Sequence, residues 1–220
     1  MEPEFWHERW ARDEIGFHEG SYNAHMTAFL DSLSLPEGSH ILVPLCGKSL
    51  DLLWLHQRGY RVSGIEISRK AIEDFFRENE LEYEQSETGG ISCYRHGSLE
   101  LWCTDFFKAD FSLMRSFDGV YDRAAVVALP PFMRSNYVTR VLELLQPGTA
   151  MLVITLDYPQ HEMNGPPFSV PPHEVERLYH AQCHIDEIHV EDCLANEPRF
   201  RRKGISRLHE RVYRITKKET

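Results

Sequence analysis

Short apolar runs alternate with amphipathic segments from Ile41 to Leu156, and this alternation restricts the fold more than any other feature. Residues 41–45 form a continuous apolar run, which suits a parallel strand buried on both faces. Leu50, Leu53 and Trp54 then recur at helical spacing, with Gly59 placed as the helix stop. Residues 61–67 read as a second strand. Ser68 follows as a cap for a helix whose apolar face is Ala71, Ile72, Phe75 and Phe76. Further core strands are predicted at 99–104, 119–122 and 149–156. Between the last two, Tyr137, Val138, Val141, Leu142 and Leu145 mark a long helix closed by Pro147-Gly148. Gly89-Gly90 divides 82–86 from 91–94 as a hairpin would. A helix over 173–180 and strands over 183–190 and 206–215 complete the pattern. The expected fold is α/β: a doubly wound, mostly parallel seven-stranded sheet ending in an antiparallel pair.

Two segments lie outside this alternation. Residues 1–35 read as two helices parted by the Gly16 to Gly20 turn, with Trp6 and Trp10 on one face of the first. Residues 157–172 carry five prolines and are expected to form an ordered loop. The 220 residues, 42% of them hydrophobic, suffice for one domain with a sizeable core, so 1–220 is read as a single domain. No stretch approaches the ~18 apolar residues of a membrane span. The charged first 14 residues lack a secretory h-region, so a cytoplasmic location and no membrane partner are expected. Five cysteines without a CxxC pair fit reduced thiols. A net charge of −10 disfavours a nucleic-acid partner and favours a small molecule.

The first strand runs into Pro44-Leu45-Cys46-Gly47-Lys48-Ser49 at the position where open α/β sheets bind ligands. Gly47 permits a tight turn, and the helix that follows offers N–H groups to an anion such as an amino-acid carboxylate. An ordinary strand-to-helix turn is the plain alternative. Glu66 ends the second strand nearly twenty residues later, where a carboxylate accepts hydrogen bonds from both ribose hydroxyls. Together they indicate a nucleoside ligand. One glycine and a proline stand where a dinucleotide site shows G-x-G-x-x-G, which turns the reading from a nicotinamide cofactor towards S-adenosylmethionine (SAM).

Four motifs in order resemble the thiopurine S-methyltransferase family, bacterial type. They are Phe5-Trp6-His7-Glu8-Arg9-Trp10 with Ile15-Gly16-Phe17-His18-Glu19, then Pro44-Leu45-Cys46-Gly47-Lys48-Ser49-Leu50-Asp51, then Tyr121-Asp122-Arg123-Ala124-Ala125, then Gly165-Pro166-Pro167-Phe168-Ser169-Val170-Pro171. The resemblance covers nearly the whole chain. It implies a class I, Rossmann-like SAM-dependent methyltransferase in which residues 1–35 form a helical cover over the cofactor. It further implies cofactor contacts from Trp10, Leu45, Glu66, Thr104 and Arg123, with Asp105 beside Thr104. Phe17, Arg123 and Arg199 are implied on the substrate side, with the loop at 157–172 near that pocket. The plainer readings are core packing for Trp10, a local ion pair for Asp122-Arg123, turn caps for Thr104 and Asp105, and a solvated basic run for Arg199.

The implied reaction is in-line methyl transfer from SAM to the sulfur of a small aromatic or heterocyclic thiol, leaving S-adenosylhomocysteine, without a committed general base. Arg123 would stabilise the anionic acceptor and Phe17 would stack on its ring. Selenium and tellurium compounds are further acceptors that the family resemblance suggests. The other readings are methylation of a different small molecule, a SAM-binding module that is not catalytic or acts on a macromolecule, and a nicotinamide-dependent oxidoreductase. No metal site is expected, since His173, His180 and His184 lack a supporting ligand framework. A monomer is expected.

Overall fold

Hydrophobic spacing, capping side chains and left-handed glycines account for most element boundaries in the computed structural model, which describes residues 3–15, 18–114 and 116–219. Two compact units divide the chain, Met1–Tyr121 and Asp122–Thr220.

The first unit opens with α1 (Pro3–Ala11), whose buried residue is Trp10. Helix α2 (Ala24–Phe29) is capped by Asn23, whose side chain accepts from the Met26 N–H at 3.0 Å. The expected helix to residue 33 tightens to a 3₁₀ turn at Leu30–Leu33. Strand β1 (His40–Pro44) is buried at every residue. It pairs in parallel with β2 (Arg61–Glu66), from His40 opposite Arg61 to Pro44 opposite Ile65. Between them lies α3 (Asp51–Gln57), closed at Gly59 with φ +86°. Its buried residues are Asp51, Leu52 and Leu55, which corrects the face expected from Leu50, Leu53 and Trp54. The polar Asp51 is drawn inward because its carboxylate accepts from the Asn23 N–H and the Tyr121 hydroxyl, both at 2.8 Å.

Helix α4 (Arg69–Glu78) matches its sequence reading: Ser68 Oγ accepts from the Ala71 N–H, and Ala71, Ile72, Phe75 and Phe76 are buried. The hairpin of β3 (Glu84–Thr88) and β4 (Ile91–His96) is antiparallel, and β4 pairs antiparallel with β5 (Leu99–Cys103). β5 runs parallel to β2, and β6 (Phe117–Arg123), which carries the chain into the second unit, runs parallel to β1. The strand order of the first unit is β3-β4-β5-β2-β1-β6.

In the second unit, α5 (Pro131–Glu143) buries Arg134 beside the expected Tyr137, Val138, Val141 and Leu142. β7 (Leu145–Asp157), α6 (Pro172–Tyr179), β8 (Cys183–Asp192), α7 (Pro198–Arg202) and β9 (His209–Lys217) follow. β9 pairs antiparallel with both β7 and β8, giving the order β7-β9-β8. Among the described residues nine strands are thus present: the seven core strands and the β3–β4 hairpin. Pairing is mixed, where mostly parallel was expected. The antiparallel share comes from the turns at Gly89-Gly90 and Gly97, whose positive φ allows the chain to double back, and from β9. No helix among the described residues is long and apolar enough to cross a membrane.

Candidate active site

Pro44 ends β1 without an N–H to extend the ladder, and the chain then turns through Leu45 at φ +48° and Gly47 at φ +54°. A left-handed conformation at a branched, non-glycine residue such as Leu45 stores strain of the kind that clusters at functional sites. The turn is held against the end of β2. Cys46 N–H donates to the Ile65 carbonyl at 3.0 Å, and Gly47 N–H donates to Glu66 Oε2 at 2.9 Å. The other carboxylate oxygen of Glu66 accepts from the Ser68 N–H at 2.7 Å. Glu66 is 5% exposed, and burial pushes its carboxyl up to about 7 against the opposing pull of the N–H groups of Ser68, Gly47 and Ile67. A carboxylate offers roughly four lone-pair sites, so with these N–H groups in place it can still accept from a ligand hydroxyl.

Trp10 is 2% exposed and its indole lies directly over the turn: a Cβ at Gly47 would stand 3.1 Å from Trp10 Cζ2. Only glycine leaves room for this contact at that φ. Just after α1, Asp13 places its carboxylate 3.3 Å from Lys70 Nζ on α4.

 

That ion pair is exposed and contributes little beyond orientation. Thr104 follows β5, and its N–H donates to the Glu66 carbonyl at 2.9 Å, so the ends of β1, β2 and β5 gather Leu45, Gly47, Glu66 and Thr104, with Trp10 over Gly47. Asp105 does what its plainer reading anticipates, accepting from the Phe107 N–H at 2.9 Å to cap a turn.

Some expectations change in the structure. The N–H groups expected to face an anion are largely engaged locally: Gly47 donates to Glu66, Ser49 to the Cys46 carbonyl and Asp51 to Ser49 Oγ. A buried carboxylate needs donors, and Glu66 draws the Gly47 N–H to itself. Lys48 is 8% exposed and pairs at 2.8 Å with both carboxylate oxygens of Glu78, so its cation is committed to α4. Burial, reinforced by Glu66, holds the Cys46 thiol well above its ordinary range, and its Sγ packs over Gly64, so it is no nucleophile. Phe17 lies outside the described residues.

The remaining two predicted residues belong to the second unit. Arg123, half-buried, ends β6 and precedes Ala124 at φ +62°. Its neighbour Asp122, 2% exposed, accepts from the Val126 N–H at 3.1 Å and the Tyr137 hydroxyl at 2.8 Å. Burial pushes the Asp122 carboxyl up to about 6, with those bonds opposing. Asp122 is therefore committed inward by these two bonds. Arg199 is exposed on α7, where its guanidinium carbon lies 6.0 Å from the Phe200 ring centre. Phe200 is buried in a cluster with Tyr158, Met163, Cys193, Ile205 and Leu208, which docks α7 on the Pro-rich loop. No sequence signal marked α7, because a five-residue helix is too short to show a period.

A family model described as Thiopurine S-methyltransferase (TPMT) matches residues 1–218. A protein of Pseudomonas fluorescens (strain Pf0-1) named thiopurine S-methyltransferase is 46% identical over 98% of this chain and 99% of its own. Among solved structures, a SAM-dependent methyltransferase from Methanosarcina mazei superposes with a TM-score of 0.64 at 19% identity, covering 87% of this chain and 98% of its own. The Burkholderia thailandensis 1,6-didemethyltoxoflavin-N1-methyltransferase, solved with S-adenosylhomocysteine, gives 0.64 at 14% identity, covering 99% and 87%. At such identities the two structures establish a shared fold, while function has to be argued from the site.

Proposed function

The chain belongs to the thiopurine S-methyltransferase family and is a SAM-dependent S-methyltransferase, and we propose that its acceptors are small aromatic or heterocyclic thiols. The observation that carries the cofactor side is the buried Glu66 carboxylate joined to the Gly47 turn beneath Trp10. Glu66 would hold the ribose, Leu45 and Thr104 would line the nucleoside, and Trp10 on α1 would cover it. When bound, SAM supplies an electrophilic methyl group, which passes to the acceptor sulfur as S-adenosylhomocysteine leaves.

The residues of the chain align and shield. An aromatic thiol ionises near neutral pH, so its sulfur is already the nucleophile and no general base is required. The Arg123 guanidinium stays charged at any working pH and would stabilise that anion, and Arg123 would also touch the cofactor. Phe17 and Arg199 are assigned to the acceptor side, with the loop at 157–172 as another wall. Trp10 and α1 would keep water from the reacting centre. A single family match over residues 1–218 supports treating 1–220 as one catalytic domain, with 1–35 as its cover. We further assign a cytoplasmic monomer without nucleic-acid partners, on the acidic net charge of −10 and five unpaired thiols. Selenium compounds are included as acceptors, being more nucleophilic analogues of the same anion.

Arg123→Ala tests the assignment. Turnover of thiophenol at saturating SAM is expected to fall by about 10- to 100-fold. Unchanged turnover would remove Arg123 as the anion stabiliser.

A further inference from the structure

Arg134 is fully buried on α5, in a protein whose proposed chemistry uses a different arginine. A buried guanidinium is costly unless its donors are satisfied, and a well-packed apolar side chain generally serves stability better. Its bonds join three separate segments. Nε donates to the Leu129 carbonyl at 2.9 Å, at the end of the loop that begins with Arg123. Nη1 donates to the Ser169 carbonyl at 3.0 Å in the Pro-rich loop and to Glu174 Oε2 at 2.6 Å in the first turn of α6. Nη2 is buried without a hydrogen-bond partner among the described residues.

The segments it joins are those assigned to the acceptor. The loop after Arg123 is anchored at its start by Asp122, which accepts from the Val126 N–H and the Tyr137 hydroxyl. In the middle, the Val127 carbonyl accepts from the Phe168 N–H at 2.6 Å, so the Pro-rich loop contacts it directly. At its end Arg134 holds Leu129 and Ser169 together. Ala124, at φ +62°, needs such support from both sides, since a non-glycine residue keeps that conformation only where its surroundings over-determine it. Lysine could not replace this fork, because one ammonium cannot reach three directions in a fixed plane.

We infer that Arg134 is a positioning residue for methyl transfer, fixing Arg123 relative to the Pro-rich loop through Leu129, Ser169 and Glu174. The inference rests on the assignment of Arg123 to the acceptor. The test is a double-mutant cycle in kcat/KM for thiophenol at saturating SAM, using Arg134→Lys, Arg123→Ala and the pair, with rates expressed per S-adenosylhomocysteine-binding site counted by calorimetric titration. Arg134→Lys is expected to lower kcat/KM by about 10-fold or more, while in the Arg123→Ala background the same change costs less than about 2-fold. Equal factors in the two backgrounds, or no loss from Arg134→Lys, would overturn the inference while leaving the Arg123 assignment standing. If Arg123→Ala alone changes nothing, the Arg123 assignment fails and the inference falls with it. Should Arg134→Lys not fold, Glu174→Gln, which leaves the two carbonyl bonds in place, takes its position in the cycle. A loss of about 3-fold that disappears in the Arg123→Ala background supports the inference, and an additive loss or none rejects it.

Discussion

Glu66 combines two demands that conflict in water-poor surroundings. It ties the Gly47 turn to the end of β2, and it is assigned to receive the ribose hydroxyls. Burial raises its carboxyl from 4.5 to about 7, so between those values the folded chain holds a proton that the unfolded chain has released. The contribution of this group to stability is therefore fully present below about pH 4.5 and declines as pH rises to about 7. Hydroxyl donors favour the carboxylate, so cofactor binding below pH 7 must release that proton. Calorimetry is expected to show affinity for S-adenosylhomocysteine falling by up to about tenfold per pH unit below 7 and levelling above it. Glu66→Gln should flatten the profile, and a slope that persists in that variant would assign the proton elsewhere. Gly47 gives a second prediction at this scale. With φ +54° and Trp10 3.1 Å from a virtual Cβ, Gly47→Ala is expected to cost about 1–2 kcal/mol in urea unfolding and to weaken cofactor binding. Unchanged stability would mean that the turn relaxes freely.

At the scale of elements, the Pro-rich loop and α7 share one apolar cluster that includes Phe200. Phe200→Ala is expected to destabilise the fold by about 3–5 kcal/mol and to raise KM for the thiol, because α7 carries Arg199. A raised KM without loss of stability would separate the two effects. Elements were legible from sequence where one local signal sufficed. The cap at Ser68, the apolar face of α4 and the stop at Gly59 all follow from residues close in the chain. For the proposed nucleoside site, Glu66 is marked by its strand-end position while Leu45 and Thr104 enter through the family resemblance, and parallel pairing brings these strand ends side by side. Long-range polar bonds were not legible. Asp51 sits on an inward face because of Asn23 and Tyr121, and Arg134 occupies a core position because of carbonyls 5 and 35 residues away. Hydrophobic periodicity treats both residues as solvent-facing, and only the tertiary fold supplies their partners.

For the whole molecule, fold and chemistry have different support. The fold is shared with methyltransferases below 20% identity, one of them an N-methyltransferase, so architecture alone does not select sulfur. Selection of sulfur rests on family membership and on the proposed acceptor side, to which Arg123 and Arg199 are assigned. With a net charge of −10 the chain as a whole repels anions, and the assigned arginines would supply the local attraction for an anionic acceptor. The most direct measurement is a methyl-transfer panel with one SAM concentration and matched acceptors: 6-mercaptopurine, thiophenol, a selenol, phenol and an aromatic amine. The sulfur and selenium acceptors are predicted to be methylated, with rates that follow the fraction of anion, and phenol and the amine to be poor substrates. Clear preference for the oxygen or nitrogen acceptor would contradict the account.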